Sequence, residues 1–117
     1  MRILRKLTSL THIEICGGGL TDEGLAVLAG LPELRTMNLS QNGGITDRGV
    51  SMLCRLPVLE TLNLSNTNIG TPSLGSLKTI TSLTSLSLFS CAIPHSAALS
   101  LRSALPRLLT LGVDEPG

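Results

Sequence analysis

Groups able to act as acid, base and nucleophile alternate closely at one place in this 117-residue chain, His12-Ile13-Glu14-Ile15-Cys16. An imidazole, a carboxylate and a thiol could in principle activate a nucleophile or hold a soft metal ion. Alternation with two Ile residues reads as a short strand, with His12, Glu14 and Cys16 on one face. Same-face neighbours on a strand stand about 7 Å apart, too far for a direct bond between nucleophile and base. The spacing argues against catalysis, and the chain is expected not to be an enzyme.

Other suggestive motifs carry less. Cys16, Cys54 and Cys91 are an odd number without C-x-x-C spacing, which suits neither a metal site nor a disulfide framework. Gly17-Gly18-Gly19, followed by Leu20-Thr21, lacks the Lys-Ser/Thr of a phosphate-binding loop and reads as a corner. Asn38-Leu39-Ser40 and Asn63-Leu64-Ser65 match the N-x-S glycosylation pattern. The internal repeat described below generates both matches, so they are expected to be unmodified. No cofactor and no metal is expected.

Composition narrows the classes further. The chain is 42% hydrophobic, yet it holds one Phe and no Tyr or Trp, so Leu and Ile must fill nearly all the buried volume. Nine basic residues against eight acidic ones leave a net charge of +1. That balance, with no aromatic platforms, argues against a nucleic-acid partner. No stretch approaches the ~20 apolar residues of a membrane span. Met1 to Leu10 intersperses Arg2, Arg5 and Lys6 among apolar residues and lacks a signal-peptide core. Acids are absent before Glu14, a faint echo of an organellar presequence, but the segment reads better as the end of a repeat. With reduced cysteines, the expected location is intracellular and cytoplasmic.

The elements that position these residues recur. Leu7, Leu31, Leu56, Ile80 and Leu105 follow one another at steps of 24, 25, 24 and 25 residues. Three residues beyond each stands Leu10, Leu34, Leu59, Leu83 or Leu108. Then come the pairs Ile13/Ile15, Met37/Leu39, Leu62/Leu64, Leu86/Leu88 and Leu111/Val113. An apolar-x-apolar pair is the period of a strand with one buried face. A crossover of about 20 residues returns the chain to lay the next strand parallel to the last. Stacked coils would then bury one continuous aliphatic column that no single coil could bury alone. The repeats lie near 7–30, 31–55, 56–79 and 80–104, with a partial one at 105–117, in a single domain.

The return segments read partly as helices. Leu20-Thr21-Asp22-Glu23-Gly24-Leu25 and Ile45-Thr46-Asp47-Arg48-Gly49-Val50 share a T-D-x-G form. Thr at the N-cap with an acid in the first turn opens a helix. Thr71 before Pro72 offers a cap followed by Pro at the first helical position. Leu25/Leu28, Val50/Leu53 and Leu74/Leu77 then face inward. The tail pair Asp114/Glu115 reads as solvated.

These residues resemble the leucine-rich repeat family, whose signature runs L-x-x-L-x-L-x-x-N/C-x-L. Leu59, Leu62, Leu64, Thr67 and Ile69 follow that frame, as do Leu83, Leu86, Leu88, Cys91 and Ile93. The resemblance runs from Leu4 to Val113. It implies an α/β fold: a right-handed leucine-rich repeat solenoid with about five parallel strands on the concave face and helices or helical turns on the convex face. In that register Cys16 and Cys91 sit three repeats apart, on the order of 15 Å, beyond disulfide reach. The T-D-x-G form is similar to the cysteine-containing repeats of F-box substrate receptors and of bacterial repeat proteins. The resemblance also implies that the side chain after each strand hydrogen-bonds backbone carbonyls at the corner. That slot holds Gly18, Asn42, Thr67 and Cys91. Gly cannot donate from a side chain, so Gly17-Gly18-Gly19 is expected to be a looser, water-bridged corner. An extra residue at Asn42-Gly43-Gly44 is expected to bulge.

What the family implies for function is a protein partner held on the concave face. The side chains alternating with the buried pairs are His12, Glu14, Cys16; Thr36, Asn38, Ser40; Thr61, Asn63, Ser65; Ser85, Ser87, Phe89; and Thr110, Gly112, Asp114. Of these, His12, Glu14, Thr36, Asn38, Thr61, Asn63, Ser85, Ser87 and Phe89 are the candidate contacts. Phe89, the only aromatic residue, is the expected hot spot; the competing reading has it covering an edge or packing on Asp114. The expected function is a non-catalytic protein–protein interaction module. The alternative is a structural subunit or segment with buried solenoid ends, sensitive at Leu4 and Leu111. Leu4 precedes Leu7 as Leu28 precedes Leu31, so the chain reads as a fragment of a longer array or an uncapped subunit, able to pack end to end. A third reading, the substrate-receptor part of a ubiquitin ligase, rests on the T-D-x-G resemblance alone.

Overall fold

The computed structural model describes residues 9–114. Leu4, Leu7 and Glu115 lie outside them. Five three-residue strands, β1 (His12–Glu14), β2 (Thr36–Asn38), β3 (Thr61–Asn63), β4 (Ser85–Ser87) and β5 (Thr110–Gly112), form one sheet in chain order. All four pairings are parallel. His12 pairs with Thr36, Thr36 with Thr61, Thr61 with Ser85, and Ser85 with Thr110, in the register of the 24- and 25-residue steps. Between strands run α1 (Asp22–Leu28), α2 (Asp47–Val50), α3 (Pro72–Leu77) and α4 (His95–Ala104); α2 passes directly into a 3-10 helix, Ser51–Arg55.

The core is the aliphatic column the repeat implies. Leu34, Leu59 and Leu83 are fully buried, as are Met37 and Leu86 from the strands, Leu39 and Leu64 just after them, and Leu25, Leu53, Leu77 and Leu101 from the helical side. The outer coils are covered on one side only among the described residues. Leu10, Ile13, Leu111 and Val113 are therefore partly buried, and Ile15 is 37% exposed.

Backbone bonding is equally periodic. The carbonyls of Thr11, Arg35, Glu60 and Thr84, just before their strands, each accept two N–H groups from the next coil at 2.7–3.1 Å. Just after the strands, Gly17, Gln41, Asn66 and Ser90 all adopt positive φ, between 56° and 63°. One left-handed residue per coil turns the chain out of the sheet. Gly takes that conformation freely, whereas a side-chain-bearing residue there is strained by about 1–2 kcal/mol.

Two expectations change at this corner and beyond it. The glycine corner is not left open, because Asn42 of the next coil closes it. Its Oδ1 accepts the N–H groups of Gly18 and Leu20 at 3.2 and 3.3 Å. Its Nδ2 donates to the carbonyls of Ile15, Leu39 and Ser40 at 2.7, 3.0 and 3.3 Å. Thr67 and Cys91 fill the same slot in their coils, both donating to the Leu64 carbonyl, at 2.6 and 3.2 Å. The extra residue is absorbed at Gly43-Gly44: a Cβ on Gly43 would meet nothing, while Gly44 bridges to Thr21.

Thr21 and Thr46 stand at the N-cap positions, but neither hydroxyl caps its helix, and Thr71 makes no side-chain cap either. The Asp of T-D-x-G has taken the Thr46 hydroxyl instead. Asp22 accepts the Thr46 N–H at 2.8 Å and the Thr46 hydroxyl as well. Asp47 repeats this one coil later, accepting the Gly70 N–H at 2.9 Å and the Ser73 hydroxyl. Each Asp staples its coil to the next. The Gly of the second motif follows from the same contact, since a Cβ on Gly49 would collide with the Asp22 carboxylate and press on Leu25, whereas a Cβ on Gly24 of the first would meet Leu20.

Candidate functional site: the strand face

In β2, β3 and β4 the central residue is buried while the residues on either side are only half-buried, so the alternating side chains form the other face of the sheet. Thr36, Asn38, Thr61, Asn63, Ser85 and Ser87 occupy its middle at that intermediate burial, and His12, Glu14 and Phe89 are exposed. The parallel register stacks them in two rows: His12, Thr36, Thr61, Ser85 and Thr110 in one, Glu14, Asn38, Asn63, Ser87 and Gly112 in the other. Eight of the nine sequence-derived candidates thus share these two rows, with Phe89 just beyond β4.

Hydrogen bonds steady the second row. Asn38 donates to Glu14 at 3.4 Å, and the amide oxygens of Asn38 and Asn63 each accept the N–H two residues on, from Ser40 and Ser65 at 3.3 and 3.0 Å. These local loops hold the two amides in fixed orientations. Neither Lys nor Arg occurs at the fifteen strand-face positions, whereas Glu14 and Asp114 do. At the rim, Arg35 pairs with Glu60 at 3.1 Å; both side chains are about half exposed. A pair so open to solvent contributes about 1 kcal/mol or less.

Phe89 is 47% exposed and its ring lies over Gly112 of β5: a Cβ at that glycine would come within 2.6 Å of the ring. Its backbone is tied on both sides, its N–H donating to the Ser65 hydroxyl at 3.0 Å and its carbonyl accepting the Asn66 N–H at 2.8 Å. The Asp114 carboxylate is bound instead to the Ser90 N–H at 2.9 Å. The ring is therefore seated on the next strand with its outer side open. Gly112 and Ser65 were not among the candidates. The signal for Gly112 was available, because glycine replaces the Glu, Asn or Ser of the other coils in the row beside an aromatic residue.

The His12, Glu14 and Cys16 strand does not converge into a reactive cluster. Glu14 is engaged by Asn38, and the Cys16 thiol lies 3.7 Å from the Asn38 carbonyl. All three cysteines are free thiols. Among the described residues no three His, Cys, Asp or Glu side chains are grouped to hold a metal ion, and no helix is long and apolar enough to cross a membrane.

A family model described as leucine rich repeat matches residues 32–93, more than half the chain. The chain belongs to the leucine-rich repeat family. A second leucine-rich repeat model matches residues 6–29. Solved structures with this leucine-rich repeat architecture include leiomodin-1 actin-binding site 2, 14% identical, with a TM-score of 0.73 over 97% of this chain and 76% of that one. The Mex67:Mtr2 subunits of Chaetomium are 16% identical, with a TM-score of 0.71 over 94% and 87%. The C-terminal domain of Caenorhabditis elegans tropomodulin is 18% identical, with a TM-score of 0.73 over 99% and 81%. At such identities the likeness is one of fold. No curated protein matches the sequence. Leucine-rich repeats are typically non-catalytic, and membership makes this chain a protein-interaction module in general terms.

Proposed function

We propose that the strand face is the partner-binding surface, with Phe89 as its anchor and His12, Glu14, Thr36, Asn38, Thr61, Asn63, Ser85 and Ser87 as the surrounding polar contacts. The observation that carries this reading is the lone aromatic ring, backbone-tied and seated on Gly112, with nearly half its surface open. Large apolar groups held rigidly lose little freedom on binding, and interface energy concentrates on them. Half-buried hydroxyls and amides around such a ring supply directional bonds. Leiomodin-1 actin-binding site 2 is a precedent for a protein partner on a similar fold. Reduced cysteines favour an intracellular setting for that partner.

Affinity capture followed by titration of the recovered partner tests the reading. Phe89→Ala should weaken the purified complex by about 30-fold or more, the size of a hot-spot loss of ~2 kcal/mol. Unchanged affinity would remove Phe89 from the interface. A second reading, a segment of a larger assembly packed through its end coils, is favoured by Leu109, which is 82% exposed beside the half-buried Leu111. Under that reading Leu109→Ser weakens the complex and Phe89→Ala does not.

A further inference from the structure

We propose that the edge where the helical segments of the second to fourth coils end is a second docking surface, separate from the strand face, for an acidic extended segment of a partner protein. Leu53, Leu77 and Leu101 are fully buried at equivalent positions of three successive coils. The residues just after them therefore stand in columns across the coils. One column is Cys54, Lys78 and Arg102; the next is Arg55, Thr79 and Ser103. All six side chains are exposed, three are cations and none is an acid. The equivalent positions of the first coil are Ala29, 4% exposed, and Gly30, so the charge begins at the second coil.

Among the described residues no ion pair is formed by any of these cations; the pair that forms, Arg35–Glu60, lies at the rim of the other face. A favourable placement against the negative ends of helices explains part of the pattern. The explanation is small for Lys78, whose helix α3 spans six residues, and fuller for Arg102, in the last turn of the ten-residue α4. Lys78 and Arg102 stand in one column, where like charges repel one another, so acids on a partner would relieve an unfavourable arrangement as well as form new pairs.

The occupant follows from what the columns contain and lack. A nucleic acid would want rings for stacking, and the one aromatic residue is Phe89 on the strand face. A membrane surface would gain only about 1 kcal/mol per cation, and no large apolar side chain stands among the six to insert. Exposed cations from three successive coils, spread over two adjacent columns, match the side chains of an extended acidic peptide.

Fluorescence anisotropy with labelled octaglutamate, and octaglutamine as the neutral control, tests this on the whole chain. Octaglutamate should bind at about 50 mM salt and weaken markedly at about 200 mM, as exposed charges do. The triple variant Arg55→Gln, Lys78→Gln, Arg102→Gln should lose about tenfold or more in affinity, roughly 1.4 kcal/mol, while its circular dichroism and unfolding midpoint stay near those of the parent. Phe89→Ala should bind octaglutamate as the parent does. Failure of octaglutamate to bind, equal binding by the triple variant, or tighter binding to oligothymidylate or to phosphatidylserine vesicles overturns the proposal.

Discussion

Replacing Asn42 by Ala would strand four backbone groups at once, the N–H of Gly18 and Leu20 and the carbonyls of Ile15 and Leu39, while the Ser40 carbonyl keeps the Gly17 N–H. Buried or half-buried groups left without partners lose about 1–3 kcal/mol each when water cannot reach them. Partial hydration of the outer three brings the expected loss for Asn42→Ala to about 3 kcal/mol, readable as a lower midpoint in urea unfolding. A companion pair of substitutions addresses the left-handed corner. Gly17→Ala should destabilise by about 1 kcal/mol, and Ser90→Gly should stabilise by up to about 1 kcal/mol, because only glycine adopts that backbone without strain. Equal and opposite shifts on one denaturation axis would establish that the corner, rather than any side-chain contact, sets the difference. Phe89 is different in kind. Its truncation should register in binding far more than in stability, since half the ring already faces solvent.

At the scale of the elements, the helices are spaced by the contact between Asp22 and Gly49. Gly49→Ala should destabilise by about 1–3 kcal/mol, as overpacking does, by driving a methyl group into the Asp22 carboxylate and against Leu25. In an Asp22→Ala background the same change should be milder, and the gap between the two measurements is the coupling. The strands and their register were legible in the sequence because apolar side chains recurring every two dozen residues admit one parallel stacking. Leu25, Val50 and Leu53 were legible as inward-facing for the same reason. The role of Asp22 and Asp47 was not, because a Thr-Asp pair ahead of an apolar run looks like a self-contained helix start. Nothing in the local spacing says that Asp22 reaches into the following coil. The four left-handed residues were missed because Gly17, Gln41, Asn66 and Ser90 share a conformation without sharing a chemistry. On the strand face, eight of the nine candidates fall in the two paired rows that the alternation implies, with Phe89 just beyond β4. The seat for Phe89 came from Gly112, whose missing side chain matters only once β4 and β5 lie side by side.

Across the whole molecule, every coil rests on its sequence neighbours, so stability is expected to be graded along the stack. Leu62→Ala, in the central coil, should cost about 3–4 kcal/mol. Ile13→Ala in the first strand should cost less than half as much, since Ile13 is already partly exposed. Hydrogen exchange should follow suit, with amides of β3 exchanging through global unfolding and those of β1 and β5 through local opening. The parallel ladder has one further mechanical consequence. Its hydrogen bonds point along the stacking direction, so a molecule held by its two ends in optical tweezers loads them in tension and peels one coil at a time. Each rupture should free a loop of 24 or 25 residues, lengthening the tether by about 80 Å at full extension and giving a staircase of nearly equal steps.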